Sequence, residues 1–253
     1  AQAGADIPAA HRDMFTTYVH DLYHDVPVSD IMAEPAAQHV QRVSGFWNWA
    51  DRRTPGSEPH LRLHNPPAAS THWRTEATFI EIISEDMPFL VDSISAELAR
   101  MNLPVRLLLH PVFSVKRDET GTLIKLQKLK AEGFGRESWI HVTLDRLPSE
   151  KLEGIRAMLL KVLADVKLAV SDWQDMRATV HALINDLPGS VPKGTDLLLI
   201  KEGQQFLEWL DNDHFVFLGS RDYKLSPDGT LLEAQPQAAR GLLRDSDLVI
   251  LRG

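Results

Sequence analysis

The chain of 253 residues contains no cysteine. Disulfides, thiolate nucleophiles and cysteine-ligated zinc are therefore excluded. Long apolar runs are missing too, and no stretch approaches the ~18 residues that a membrane-spanning helix needs. The opening residues, AQAGADIPAAHRDMF, have neither a basic start nor an apolar core, so they are not a secretory signal. Positive charge is in deficit: 27 Lys and Arg face 35 Asp and Glu, a net charge of −8. That balance argues against a general phosphate-binding surface. Nucleotide and hydrolase signatures are absent as well. No G-x-G-x-x-G follows a strand, and GFGRES at 133–138 has only two glycines and precedes a strand. There is no G-x-x-x-x-G-K-[ST], no H-E-x-x-H and no G-x-S-x-G. These absences predict a cytoplasmic location, with no catalytic residues, no metal and no cofactor held by these residues. The chain lacks a starting Met and ends in a strand-like run, DLVILRG, as expected of a piece of a longer protein.

What is present is an ordinary globular composition, 43% hydrophobic and 25% charged, long enough for one large domain or two smaller ones. Residues 1–70 read as a helical segment with a short strand. Pro27 breaks a first helix. Ser29 can cap a second, carrying Ile31, Val40, Val43, Phe46, Trp47 and Ala50. The turn-rich RRTPGSEP (52–59) precedes HLRLHNP (60–66), which alternates like a strand. Residues 71–187 read as the organised unit. Glu76–Ser84 is apolar on both faces, as a doubly covered strand would be. Leu90, Ile94, Leu98 and Met101 then follow at helical spacing. Val105–Lys116 reads as one long strand with Leu107, Leu109, Phe113 and Val115 on one face. RDETG (117–121) turns it into Leu123–Leu129 through the permissive Gly121, and Trp139–Leu144 is a further strand. The order β-α-β-β-β-α predicts an α+β fold close to a ferredoxin-like β-α-β-β-α-β sandwich with one extra hairpin strand.

From Ser149 the apolar residues Leu152, Ile155, Leu159, Val162, Val166, Ala169, Trp173, Met176, Val180, Leu183 and Leu187 alternate steps of three and four. Two arrangements suit this pattern. The helix can pack on its own sheet and break near Ser171–Asp172. Alternatively, its distal half, with Trp173, Met176, Val180 and Leu183, can meet another subunit or domain. Residues 188–213 read as a linker and a helix capped by Thr195 or Asp196. Residues 214–253 read either as strands completing the sheet or as the start of a further domain.

The densest chemistry lies in Thr78–Leu98, TFIEIISEDMPFLVDSISAEL, where a strand delivers an acidic turn to a helix N-terminus. Backbone N–H groups at such a place can hold an anion. Asp86 and Pro88 can alternatively serve as a helix cap and a first-turn proline. Adjacent Glu85 and Asp86 diverge in direction and do not make a catalytic dyad. His20 and His24 share a helix face at i, i+4, which leaves a small metal-dependent enzyme as an alternative. His60 and His64 face one side of a strand, too far apart for one metal.

FWNWADRRTPGSEPHLRLHNP, TFIEIISEDMPFLVDSISAEL, LLLHPVFSVKRD, ESWIHVTLDR and WLDNDHFVFLGSRDYKL occur in this order. Over about Phe46 to Leu225 the chain resembles the N-terminal ACT-type region of the large bacterial NAD-specific glutamate dehydrogenases. The resemblance implies a regulatory and assembly module of an oxidoreductase that deaminates glutamate with NAD on a domain far downstream. It implies as partners the parent's other domains, further copies of the chain and an amino-acid effector, with no nucleic acid and no membrane. The implied effector site is the turn Glu85, Asp86, Met87, Pro88, Phe89, Leu90 and Asp92. Where the ACT pattern D-x-P-G places glycine, this chain has Phe89, whose side chain can fill the ligand's space. Asp92 would repel an anion and pair with an ammonium. A purely structural interaction module is the alternative.

Overall fold

The computed structural model describes residues 7–32, 34–53, 59–66, 77–212, 215–226, 231–244 and 251–252. Two compact units divide the chain, Ala1–Leu163 and Ala164–Gly253. The first contains α1 (Arg12–Leu22), α2 (Val28–Met32), α3 (Ala36–Ala50), β1 (His60–His64), β2 (Ala77–Glu85) and α4 (Leu90–Arg100). It continues with β3 (Val105–Leu109), β4 (Val112–Arg117), β5 (Leu123–Gln127), β6 (Gly135–Asp145) and the start of α5 (Ser149–Ser190). Its antiparallel sheet runs β1-β2-β6-β4-β5, with β3 also on β6. The fold is therefore α+β.

β3 and β4 occupy successive stretches of the same side of β6. Val105 and Leu107–Leu109 face Leu144–His141, and Val112–Val115 face Ser138–Gly135. The single strand expected over Val105–Lys116 is thus broken at His110–Pro111. Pro111 has no N–H for a ladder, but its carbonyl still accepts from Trp139 N at 3.0 Å. The expected inward face survives the break: Leu109, Phe113 and Val115 are buried, and Leu107 packs against them. Gly121 turns the hairpin at φ +84°.

The helix expected from Ser29 to Ala50 is also two elements. Pro35 takes the N-cap position of α3, and proline disfavours helical backbone in the residue before it. Ser29 lies inside α2, its hydroxyl bonded to the Asp30 carboxylate at 3.2 Å rather than capping a helix.

Side chains alternate across β2 and β6, so directly paired residues share a face. Phe79, Glu81 and Ile83 lie on one face with Trp139, His141 and Thr143. Tyr18, Phe46 and Trp47 from α1 and α3 cover that face, all within 6.2 Å of the Trp139 ring centroid. Such tilted and edge-on aromatic clusters combine large buried area with favourable quadrupole contacts. The opposite face, with Ile80, Ile82, Ile140, Val142 and Leu144, is buried as well. The buried stripes of α4 (Leu90, Ile94, Leu98) and α5 (Ile155, Leu159, Leu163) are the apolar surface available to cover it. Burial at Leu163, rather than at the Val162 of the counted pattern, follows from a 3.6-residue turn drifting against a 3.5-residue repeat.

The second unit holds the rest of α5, α6 (Leu197–Leu210), β7 (Gly219–Leu225), β8 (Leu231–Gly241) and β9 (Leu251–Arg252). β7-β8-β9 form a separate three-stranded sheet, whereas β1 lies beside β2 in the first. The break expected at Ser171–Asp172 does not occur, because both polar side chains find partners that leave the helix intact. Ser171 Oγ donates to the Lys167 carbonyl at 2.6 Å, and the Asp172 carboxylate accepts from Gly241 N at 2.6 Å and from Arg244. Gly241 itself has φ +56°, with the Leu218 carbonyl where a Cβ would stand. Of the two caps expected for α6, Asp196 fills the role, accepting from Leu198 N at 2.9 Å. His214 and the PDG sequence at 227–229 lie outside the described residues.

Candidate functional site

β2 ends at Glu85 and α4 begins at Leu90, so the acidic turn is the link between a central strand and a helix. Asp86 does not cap this helix. Its carboxylate accepts from Ser138 Oγ at 2.7 Å and lies 3.8 Å from Arg136, while its N–H donates to the Arg136 carbonyl at 3.0 Å. The N-cap position belongs to Phe89, and no side chain caps α4. Phe89 has φ +70° and ψ 0°, the left-handed backbone that glycine adopts without strain. A bulky side chain there costs about 1–2 kcal/mol. At the other end of α4, Asn102 adopts φ +55° in a Schellman-type stop, with Leu103 N donating to the Leu98 carbonyl at 2.9 Å. The backbone at 89 thus keeps the geometry of the expected glycine although the residue has changed. Phe89 is 41% exposed and Leu90 is buried. Met87 is half-buried, whereas Glu85, Asp86, Pro88 and Asp92 are exposed.

Beside the turn is a cleft of about 530 Å³, lined by Glu85 and Asp86 together with Arg53, Arg117, Arg136 and Glu137. Glu137 is buried and holds two guanidinium groups. Arg53 Nη1 donates to its Oε1 at 3.0 Å, and Arg117 donates through Nε and Nη2 at 2.9 Å to both oxygens. Trp139 Nε1 donates to Oε2 at 3.0 Å. Burial alone would raise the Glu137 pKa, but Arg117, Trp139 and Arg53 outweigh it and hold the carboxyl below its ordinary value. Arg117 Nη1 also reaches the Ala50, Asp51 and Gly121 carbonyls at 3.0–3.2 Å. Arg53 is 6% exposed, and its Nε has no partner among the described residues. One buried carboxylate thus faces two buried cations, leaving surplus positive charge at the cleft wall.

A second buried acid lies on the same face of the sheet. Glu81 accepts from Arg62 Nε and sits 3.2 Å from His64 Nε2. His141 Nδ1 lies 3.4 Å from its other oxygen, an ion-pair distance without hydrogen-bond alignment, while His141 Nε2 meets Thr143 Oγ1 at 3.1 Å. Burial opposes ionisation of Glu81, yet His141, His64 and Arg62 draw its pKa well below the usual carboxylate range. Burial lowers the His141 pKa, with Glu81 opposing.

The remaining candidates fall elsewhere. His20 and His24 have ring centroids 5.7 Å apart, and each Nδ1 is bonded to the adjacent aspartate, Asp21 or Asp25. His60 stacks on Trp49 at 4.1 Å. No group of three or more His, Asp or Glu side chains among the described residues is arranged to hold a metal ion. Nor is any helix among them long and apolar enough to cross a membrane. In α5, Met176 is buried, Trp173 and Val180 are half-buried, and Leu183 is 51% exposed. Arg177 stacks over Trp173 at 5.3 Å and pairs with Asp211 at 2.9 Å.

Arg53, Arg117, Glu137 and the Glu81 cluster were not singled out from the sequence. A signal exists for Glu81, since TFIEIIS places a charge inside an apolar strand, whereas Glu137 precedes the strand read over Trp139–Leu144. A buried carboxylate in such a run must find partners. Nothing local identifies them: Arg53 is 84 residues from Glu137 and lies in a segment that reads as a surface turn.

A family model described as "Glutamate dehydrogenase, ACT1 domain" matches residues 18–159, just over half of the chain. The chain belongs to the glutamate dehydrogenase ACT1 domain family. This is the family whose N-terminal ACT-type region the sequence resembles. Relatives named NAD-specific glutamate dehydrogenase include one from Halomonas elongata, 35% identical over 84% of this chain and 13% of the relative. A second, from Pseudomonas aeruginosa, is 30% identical over 90% of this chain and 14% of the relative. A third, from Mycobacterium tuberculosis, is 28% identical over 65% of this chain and 10% of the relative. The chain therefore spans about one seventh of the length of the two more similar relatives. The ACT1 match contains the acidic turn, both buried carboxylates and the Arg53–Arg117 pair.

Proposed function

We propose that this ACT1 chain is the regulatory and assembly segment of an NAD-dependent glutamate dehydrogenase. Its parent would oxidise L-glutamate to 2-oxoglutarate on a separate domain that binds NAD. In this reading β2, α4, β3 with β4, β6 and α5 form a ferredoxin-like core of ACT type over residues 71–187. β5 is its extra hairpin strand, and β1 stands where the last strand of a β-α-β-β-α-β unit would lie. Residues 1–70 add the helical cover, 188–213 the link, and 214–253 a further small sheet. Partners are the parent's other domains and further copies of this chain in the cytoplasm, met in part through Trp173, Val180 and Leu183, whereas Met176 is buried and not free to meet them.

The observation that carries the reading is the turn at Phe89. Its left-handed backbone leaves α4 without a side-chain cap, beside a cleft walled by Arg53, Arg117 and Arg136. An amino acid placed there would set its carboxylate against the arginines and the helix terminus, and its ammonium against Glu85, Asp86 or Asp92. Regulation then requires that the ligand bind two arrangements of the parent with different affinity. Calorimetric titration of the chain with a panel of amino acids tests this. Saturable heat with at least one of them, weakened about tenfold in Arg136→Ala, is expected. No heat with any amino acid would favour the purely structural module, for which the phenyl ring at position 89 is the supporting observation.

A further inference from the structure

A surface helix normally turns its apolar stripe inward, and α6 does the reverse. Gly203, Gln204 and, just past the helix end, Asp211 attach it to the distal part of α5. Gly203 lets the Leu187 side chain approach, with Leu187 Cδ2 3.0 Å from where a Cβ would stand. Gln204 Nε2 donates to the Ile184 carbonyl at 2.8 Å, and Asp211 pairs with Arg177 and His181, each at 2.9 Å. At about 100° per residue, the opposite side of α6 carries Leu198, Glu202, Gln205 and Trp209, with Leu199 and Phe206 beside them. No residue of α6 is buried, and the four large apolar side chains of that outer side are 53–62% exposed. The Trp209 ring is already held: Phe215 meets it edge-on at 4.6 Å, and Phe206 lies 5.9 Å from it.

We propose that this outer side pairs antiparallel with α6 of a second copy of this chain, about a two-fold axis near Gly203–Gln204. The contact lies on a different helix from Trp173, Val180 and Leu183 and does not depend on them. Charge and shape select the partner. Leu198, Glu202, Gln205 and Trp209 recur at steps of four, three and four, the seam of a short coiled coil. In a two-fold contact, if residue i meets residue j then j meets i. Antiparallel pairing therefore sets Leu198 against the partner's Trp209, and Glu202 against the partner's Gln205, whose amide can donate to the carboxylate. On one flank Leu199 meets the partner's Phe206. On the other, the exposed Lys201 and Glu208, seven residues apart, meet each other's counterparts as opposite charges. A parallel pairing would instead place Glu202 against Glu202. The area also suffices. Half-exposed aromatic rings of this size, with the two leucines, present roughly 500 Å² of apolar surface per copy. A standard interface buries about 800 Å² per partner, just over half of it apolar.

Sedimentation equilibrium of the 253-residue chain, from about 1 to 100 μM, reads the association. A reversible dimer is expected. Trp209→Ala should weaken it at least about tenfold, with the circular dichroism spectrum retained because the side chain lies on the outer side. Lys201→Glu and Glu208→Lys should each weaken it about fivefold, by setting like charges together across the axis. Combining Lys201→Glu with Glu208→Lys restores both pairs in reverse, and should bring the dimer back to within about twofold of the unaltered chain. Leu183→Asp, on the α5 face invoked above for assembly, should leave this dimer unchanged. A monomer at every concentration overturns the proposal and gives the outer side of α6 to another domain of the parent. Normal dimerisation of Trp209→Ala, or a double charge variant no tighter than the single ones, also overturns it. A dimer lost in Leu183→Asp but kept in Trp209→Ala would assign self-association to α5, sparing the assembly reading and overturning this one.

Discussion

Glu81 and Glu137 stand on neighbouring strands and on the same face of one sheet, and both are almost wholly buried. Their partners differ in kind. Glu137 is held by two arginines, which keep their charge at any accessible pH, and by an indole N–H. Glu81 is held by one partly exposed arginine and flanked by two histidines, whose charge depends on pH. The same carboxylate is thus a permanent brace at one end of the face and a titratable knot in the middle. Partner identity, not burial, sets this difference.

Replacing the brace is expected to have the largest effect. Glu137→Gln leaves Arg53 and Arg117 buried beside each other without a counter-charge, and should destabilise the chain by about 3–5 kcal/mol. The urea-denaturation midpoint measures it. A loss below about 1 kcal/mol would mean that water or the surrounding carbonyls carry the arginines. Glu81→Gln should cost less, about 1–3 kcal/mol. Arg62 and His64 are each about one-third exposed and can turn to solvent, and His141 can stay neutral. If the two variants prove equally damaging, the contrast between them fails.

Acid should separate the two knots with a smaller signal. His141 has a folded pKa lowered from 6.5 by burial. Below that value the unfolded chain takes up a proton that the folded chain keeps off. Stability is therefore complete above about pH 6.5 and declines as pH falls toward the lowered value, by at most about 1.4 kcal/mol per pH unit for one proton. His60 and His110, also lowered by burial, act in the same direction. His141→Gln should accordingly flatten only part of the slope between pH 6.5 and 5. Glu137, lowered from 4.5, contributes stability that is lost only below about pH 4.5, so the brace is silent in that window. Denaturation midpoints at stepped pH read both. An unchanged slope in His141→Gln would show that His141 is not a titrating member of the knot.

The turn and the long helix show how far local pattern reaches. Strand, acidic turn and helix were legible in TFIEIISEDMPFLVDSISAEL, because alternation and helical spacing are properties of neighbouring residues. The left-handed backbone at Phe89 was legible only as a missing glycine, since phenylalanine by itself argues against that conformation. The continuity of α5 was legible in the unbroken three-and-four spacing from Leu152 to Leu187, but what keeps Ser171–Asp172 from ending the helix was not. Asp172 reads as a helix breaker until Gly241 and Arg244, 69 and 72 residues away, satisfy it.

By itself, then, the sequence determined the α+β class, the family, the absence of thiol chemistry and the position of the acidic turn. Each of these depends on residue type, spacing or a short motif. Tertiary structure alone decided that Arg53 and Arg117 close on Glu137, that Glu81 gathers two histidines, and that Arg42 is buried against Glu34. Those outcomes depend on which residues are desolvated together. Long-range pairing of buried charge follows from register and packing across the sheet, which no local pattern encodes.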